Sequence, residues 1–528
     1  MQICRLLERK ELAMKKLISM CLATLMLLMM VLPVAAEEIL LISPAPAGLP
    51  EKWDGSVAEA FAGGTGTEAD PYLITNAKEL ALIAQNVNTK TTDYKDIFFK
   101  QTADINLDGA AWNAIGNGKG AIAFKGNYDG GNYTIYNIYN VPVDMADATT
   151  MIYNGLFGWI GDPAVIQNIK MVGGSVTSTK YAGGVVGFMV GGTVYNCSAE
   201  LDGVYGFQAA GIVGRAEKGE RNLIKGCVNH TKVTVPADLA TGKDVFLGGI
   251  VGAAGNTDIV YCANYGDVTS EGTNYSLAGG IIGIQGASSG TVLIDNCVDM
   301  GKMHAIHGSA KNVGAGGICG KAAHVSFSEI YNCISAGTYT SDKENAAGGI
   351  AGFVDGAKFV TAENLYTTSE KAAGTDEMSQ LSSTVILSLS DMKGPAGIAR
   401  MRLDSAWVAE IDTIPTIDVA KIDSAEAAPE VPAETTTEET TTATTTEVTT
   451  QATTEATTEA TTEPISETTT EDPAVTTAPI VGDVIVDDEK PADPVVLRDN
   501  TVWIIILAVA IVADGAAMAF VMLRKKKN

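Results

Sequence analysis

Eight cysteines, four histidines and 62 acidic residues are the first candidates for chemistry in this 528-residue chain. Five of the cysteines, Cys197, Cys227, Cys262, Cys297 and Cys333, recur at intervals of 30 to 36 residues. Each follows an Asn, Gly or Tyr: Asn196, Gly226, Tyr261, Asn296 and Asn332. Ile169, after Asn168, and Leu365, after Asn364, occupy the same place in their own repeats. The position therefore asks for a small apolar side chain, which a buried thiol supplies. An exported chain invites disulfides, but exchange with Ile and Leu favours a ladder of buried thiols over disulfides or a metal site. Cys319 belongs to a separate, glycine-rich column.

Glycoside hydrolysis needs two carboxylates about 5–9.5 Å apart, and a calcium-dependent lyase needs an oxygen-rich cluster. Asp104, Asp108, Asp129, Asp258, Asp267 and Asp295 are scattered candidates. Asp258 stands four residues before its column cysteine and Asp295 two, so they are not expected to line up. They read as solvated turn carboxylates. His304 and His307 would face different ways on a strand, and His230 and His324 stand alone, so metal ligation is not expected. No Gly-x-Ser-x-Gly, Walker or dinucleotide fingerprint rises above the glycine background. No catalytic, cofactor-binding or metal residue is assigned, and no cofactor is implied.

The elements that carry these residues are repeats. A small-apolar block recurs as Gly155-Leu156-Phe157-Gly158, Gly183-Gly184-Val185-Val186-Gly187, Ala210-Gly211-Ile212-Val213-Gly214 and Gly248-Gly249-Ile250-Val251-Gly252. It continues through the blocks opening at Gly279, Gly316 and Gly348, at steps of 27 to 38 residues. The Asn-Cys type anchors follow each block by 13 to 17 residues, and short segments such as 266–269, 301–303 and 337–339 come next. Three short β-type segments per repeat, bounded by turn residues, describe one rung of a parallel β-helix. Glycine and asparagine at the turns tolerate left-handed backbone, although Tyr261 departs from that pattern.

Residues 53–140 read as an N-terminal cap with the first irregular strands. Within it Asn76 and Glu79 form a capping-box-like pair, ahead of an apolar stripe at Leu80, Ile83, Ala84 and Val87. The repeats span 141–370, and residues 371–425 read as a C-terminal cap, with Trp407 and 414–417 covering the last rung against edge pairing. Residues 426–500 form an acidic, Thr-rich, disordered stalk. The formal net charge is −26, and from 430 to 493 nearly every ionisable residue is acidic. That balance excludes the basic face that nucleic acid requires.

The ends specify export. Lys15 and Lys16, an apolar run over 17–34 and Ala35-Ala36 have the layout of a signal peptide, so 1–36 read as an N-terminal extension plus leader. Residues 501–523 form an apolar stretch long enough to cross a bilayer. The basic tail 524–528 follows, which places the N-terminal bulk outside the cell. Asp514 interrupts the stretch; it either contacts a partner helix across Gly515 and Ala519 or is outweighed by its apolar neighbours.

The opening over residues 61–74, the Trp112-x-x-Ile115-Gly116 and Tyr128-Asp129-Gly130 segments, the literal Gly155-Leu156-Phe157-Gly158 and the glycine blocks resemble GLUG-motif bacterial surface proteins across about residues 60–420. The resemblance implies a right-handed parallel β-helix and a surface role. Some members of that family carry the motif beside an IgA-protease domain, whose His-Glu-x-x-His zinc motif is absent here, so protease activity is not implied. The expectation is an all-β, membrane-anchored cell-surface solenoid that binds an unknown extracellular ligand, glycan or protein, as a non-catalytic adhesin. A polysaccharide lyase or glycosidase on the same scaffold, and an inert spacer, are the alternatives.

Overall fold

A computed structural model describes residues 48–118, 122–140, 153–217, 219–235, 243–285, 290–322, 328–354, 360–374 and 381–425. The expected leader, stalk, apolar span and basic tail lie outside these residues, as do Asp514 and His324. Among the described residues no helix is long and apolar enough to cross a membrane.

The chain winds as a parallel β-solenoid of seven turns. The second to sixth contribute five short strands each, whereas in the first one strand, Lys170–Thr177, fills both flank positions and the seventh has a single flank strand, Tyr366–Thr367. The second turn shows the pattern: a leading strand Tyr181–Gly183, a trailing strand Val186–Val190, a long-sheet strand Gly192–Tyr195, and two flank strands, Ser198–Glu200 and Gly203–Tyr205. Leading and trailing strands each stack into a seven-stranded sheet, and the flank strands join in one fifteen-stranded sheet. The long sheet has ten strands, because Tyr72–Ile74, Phe98–Gln101 and Asn127–Asp129 extend it before the first full turn. The three segments expected per repeat thus become five.

Two local features account for the difference. The glycine block is a fold-back, so it yields a leading and a trailing strand instead of one. A Cβ on Gly248 would lie 1.9 Å from the Val251 carbonyl oxygen, and one on Gly252 2.5 Å from that of Gly214. Backbone packs directly on backbone there, and only glycine leaves the room. The flank segment is divided by a corner, after which alternation restarts.

The turn before each anchor is left-handed in every repeat: Asn168, Asn196, Gly226, Tyr261, Asn296, Asn332 and Asn364 have φ between 49° and 64°. Tyr261 is held there with its hydroxyl donating to Asp404 Oδ2 at 2.6 Å. The residues that follow point inward as a single column, all nearly or fully buried: Ile169, Cys197, Cys227, Cys262, Cys297, Cys333 and Leu365. All six described cysteines are free thiols.

Helix Ala77–Asn88 precedes the turns and buries Leu80, Ile83, Ala84 and Val87 in the main core. Asn76 accepts from the Lys78 and Glu79 amides. Glu79 reaches back one residue further than a capping box requires, accepting from the Thr75 amide at 2.6 Å.

The C-terminal segment departs from expectation. Trp407 and 414–417 do not sit over the last rung. After Val385–Ile386 pairs with Tyr366–Thr367, the chain doubles back along the outside of the flank sheet. Met392, Met401, Leu403, Trp407 and Ile414 cover an outward apolar strip, Ala263, Val298, Ile334 and Tyr366. Without that strap the strip would face water, and burying each large side chain contributes about 1.5–3 kcal/mol. Trp407 Nε1 donates to Asn296 Oδ1 at 3.1 Å, and Asp423 meets Lys225 Nζ at 2.5 Å.

Candidate ligand-binding flank

The sequence-predicted carboxylates are each engaged locally. Asp258 takes a two-pronged contact from the Arg221 guanidinium, with Nε to Oδ2 at 2.8 Å. Asp295 accepts from Asn332 Nδ2 at 2.8 Å, and its burial pushes the carboxyl above the usual range. The two lie on adjacent strands but out of line, since Asp258 pairs with Leu293 and Val260 with Asp295. Asp129 accepts from Gly131 N and Asn168 Nδ2, Asp104 from Thr134 N, and Asp267 from Lys302 N. Asp108 pairs with Lys52. These carboxylates tie turns together.

The histidines are similarly dispersed. His304 Nδ1 lies 2.9 Å from Thr340 Oγ1, while His230 stacks on Tyr265 with ring centroids 4.8 Å apart. The His307 carbonyl accepts from the Ala310 amide in a turn. No group of three His, Cys, Asp or Glu suited to a metal ion occurs among the described residues. The thiols of the column donate to the carbonyl two residues earlier, for example Cys262 to Val260 at 3.4 Å and Cys333 to Tyr331 at 3.0 Å. Burial pushes the Cys262 and Cys297 thiols well above the ordinary range, which suppresses the reactive thiolate.

What the surface does offer is a group of tyrosines that sequence reasoning missed. Tyr133 and Tyr139 are 39% and 53% exposed, and Tyr136 between them is half-buried. All three lie on or just before strand Thr134–Tyr139, at a spacing of three. A regular strand repeats every two residues and would turn one ring inward. Asn137, with φ of 57°, resets the alternation, so Ile135 and Ile138 both enter the core and Tyr136 and Tyr139 both face out. The next turn accommodates this kink with Gly173 and Gly174, both at positive φ, and a Cβ on Gly174 would strike the Ile138 carbonyl at 2.1 Å.

Register carries the face into neighbouring turns. Tyr136 stands beside Val172 and Tyr139 beside Ser175, which in turn pairs with Gly203. The ring of Tyr205 lies over Gly203, where a Cβ would come within 2.4 Å of its hydroxyl oxygen. The strap packs over the flank from about Val228 onward. Tyrosines combine a large apolar face with a hydroxyl that both donates and accepts, at low entropic cost. Tyr136 and Tyr139 are three residues apart, which the left-handed Asn137 keeps within the roughly 10 Å that three extended residues span. The signal legible in sequence was Tyr-x-x-Tyr-x-x-Tyr with an asparagine inside it.

No known family profile matches the chain. It is 30% identical over 153 residues to a protein of Evansella cellulosilytica provisionally named a Gly-rich membrane protein, covering 27% of this chain and 16% of that one. It is 31% identical over 180 residues to halomucin of Haloquadratum walsbyi, covering 32% of this chain and 2% of that one. The chain thus spans well under a fifth of the length of these relatives. A solved Bacteroides ovatus protein, provisionally named an immunoglobulin A1 protease, aligns with a TM-score of 0.46 at 21% identity, over 68% of this chain and 95% of that one.

Proposed function

We propose that this chain is a membrane-held cell-surface solenoid that binds an extracellular ligand, glycan or protein, without chemical turnover. The observation that carries the reading is the tyrosine face on the flank of the first turns, presented by a rigid parallel sheet. The leader-type N-terminus and the apolar run with its basic tail support the address. Similarity to a protein named as a membrane protein over 153 residues supports it as well. Partly solvated tyrosines on a fixed backbone can stack on the C–H faces of sugars or on apolar side chains. The carboxylates that catalysis would use are committed to structural contacts.

The test uses cells displaying the full chain, probed with a glycan array and a panel of extracellular matrix proteins, with released sugars assayed in parallel. Binding without sugar release is expected. Replacing Tyr136 and Tyr139 by Ala is expected to weaken it roughly tenfold or more, since anchors at a binding surface are each worth about 1 kcal/mol or more. Sugar release that vanishes on mutating a carboxylate would make the protein an enzyme. Silence in every assay, with the chain verified on the surface, would leave the spacer reading.

A further inference from the structure

Two residues beyond each buried thiol position, the flank strands present a second inward column: Ala199, Asn229, Asn264, Asp299, Ser335 and Thr367. From Asn229 onward it is polar, and all five of those side chains are fully buried. The column sits in space vacated by the second glycine of each block. A Cβ on Gly249 would lie 2.2 Å from Asn264 Cγ, and one on Gly280 2.2 Å from Asp299 Cγ.

The side chains bond to one another along the axis. Asn229 Nδ2 donates to Asn264 Oδ1 at 2.8 Å, and Asn264 Nδ2 to Asp299 Oδ1 at 2.7 Å. The Gly301 amide adds a longer bond to Oδ1 at 3.3 Å. Tyr339 takes over on the other side, its hydroxyl 3.0 Å from Asp299 Oδ2 and 2.7 Å from both Ser335 Oγ and the Gly337 amide. Ser335 Oγ also contacts the Gly349 carbonyl.

This chain of hydroxyls can be satisfied in two directions. With Asp299 ionised, the Tyr339 hydroxyl donates to Oδ2 and accepts from the Gly337 amide, and Ser335 divides its single proton between Tyr339 and the Gly349 carbonyl. With Asp299 protonated, its O–H donates to Tyr339, Tyr339 donates to Ser335, and Ser335 still donates to Gly349. The heavy atoms need not move, so the two arrangements differ in one buried charge. No cation among the described residues compensates it. The Gly280 corner and the Asn264 strand bring no titratable group. The strand of Tyr339 brings only that phenol, the turn before Val268 brings Asp267, another acid, and Lys302 is exposed.

We propose that Asp299 is a proton-operated joint in the fifth turn: protonated, it locks the fourth, fifth and sixth turns together, and its ionisation lets them open. Burial is the main reason its carboxyl is raised to about 7, against the lowering pull of Asn264, Tyr339 and Gly301. The sign follows from linkage. A carboxyl raised in the folded state holds a proton that the unfolded chain releases above the model value of 3.8. The stability it confers is complete below that value, falls as pH rises towards 7, and is flat beyond. The opening equilibrium of these turns should rise by up to roughly a thousandfold across that window, about tenfold per pH unit.

The experiment is hydrogen exchange with mass-spectrometric readout on the full-length protein, from pH 4 to 8, corrected for intrinsic exchange. Peptides from 263–271, 298–306 and 334–341 are expected to open more as pH rises, while those from 181–200 do not. Asp299→Asn, which cannot ionise, should flatten the response. Tyr339→Phe removes a donor that favours the carboxylate, and should move the midpoint to higher pH. A pH response retained in Asp299→Asn, a flat wild type, or an unmoved midpoint in Tyr339→Phe would each overturn the proposal. If Asp299→Asn fails to fold, the Tyr339→Phe midpoint decides alone.

Discussion

The two inward columns of the flank strands are two residues apart, equally dry, and opposite in character. Cys262 and Asn264 show the contrast. The thiol is content with a weak bond to the Val260 carbonyl, and its column tolerates Ile169 and Leu365. Asn264 instead bonds to Asn229 before it, Asp299 after it and the Gly266 backbone, and needs a glycine opposite to fit. An apolar buried site constrains mainly volume, whereas a polar one constrains its partners and the backbone facing it. The polar column is where the solenoid is specified, and the thiol column is where it is filled.

The hardest way to break the polar column is from the facing side. Gly280→Ala places a Cβ 2.2 Å from both Asp299 Cγ and the Gly317 carbonyl oxygen. Backbone cannot yield as a side chain can, so the expected cost is about 3 kcal/mol, at the top of the overpacking range. Gly48→Ala, where nothing lies within 4 Å, serves as the control and should change little. Denaturant-unfolding midpoints of the two variants check this, and equal midpoints would show that the glycine cradle is not required.

A sharper comparison removes one member from each column on the same stretch of chain. Asn264→Leu takes from Asp299 Oδ1 the shorter of its two bonds and from the Gly266 amide its side-chain partner, at an expected cost of about 2–4 kcal/mol for these buried groups. Cys262→Ala deletes one sulfur from an apolar site and should cost about 1 kcal/mol, as small core truncations do. Measured side by side, a larger loss for Cys262→Ala would reverse the assignment of roles. The thiols make a companion prediction. In native protein at pH 8 the six described cysteines should resist a maleimide for hours, and all six should react in denaturant. Peptide mapping that finds any of them disulfide-bonded would remove the filler reading.

The difference between the columns also decided what could be read from sequence. Repeated cysteines exchanging with Ile and Leu announce an apolar position by themselves. Asn229, Asn264, Asp299, Ser335 and Thr367 hold an equally regular position, but polar residues in a glycine-rich chain carry no mark of burial in the sequence. Only the glycine opposite, distant in sequence, shows that they are inside. The fold-back at the glycine block was hidden for the same reason: its contacts are backbone to backbone and leave no side-chain periodicity. The strap did leave a trace, unrecognised as such. Gly226 and Tyr261 are the two departures from asparagine at the turns, and both are where the strap touches. A Cβ on Gly226 would sit 3.2 Å from Ile422, and Tyr261 bonds Asp404. The tyrosine face escaped notice because a spacing of three is foreign to strands unless a left-handed residue intervenes.

The strap also supplies the smallest expected effect, and one of opposite sign to that of Asp299. Asp423 pairs with Lys225, whose ammonium holds the carboxyl below its usual range. Its contribution is therefore present above the model value of 3.8 and lost as pH falls below it. With the Asp423 side chain 70% exposed, solvent and salt screen the pair. Asp423→Ala should cost less than about 0.5 kcal/mol, as exposed ion pairs do, and raising NaCl from about 0.05 to 1 M should erase the difference from wild type. A loss well above about 1 kcal/mol at low salt that high salt abolishes would mean that the strap is held at this end by the charge pair. It would not then be held chiefly by Trp407, Met401 and the apolar strip they cover. One aspartate placed inside the solenoid and one on its surface would then differ less than their surroundings require, and the contrast between buried and exposed polar contacts would need revision here.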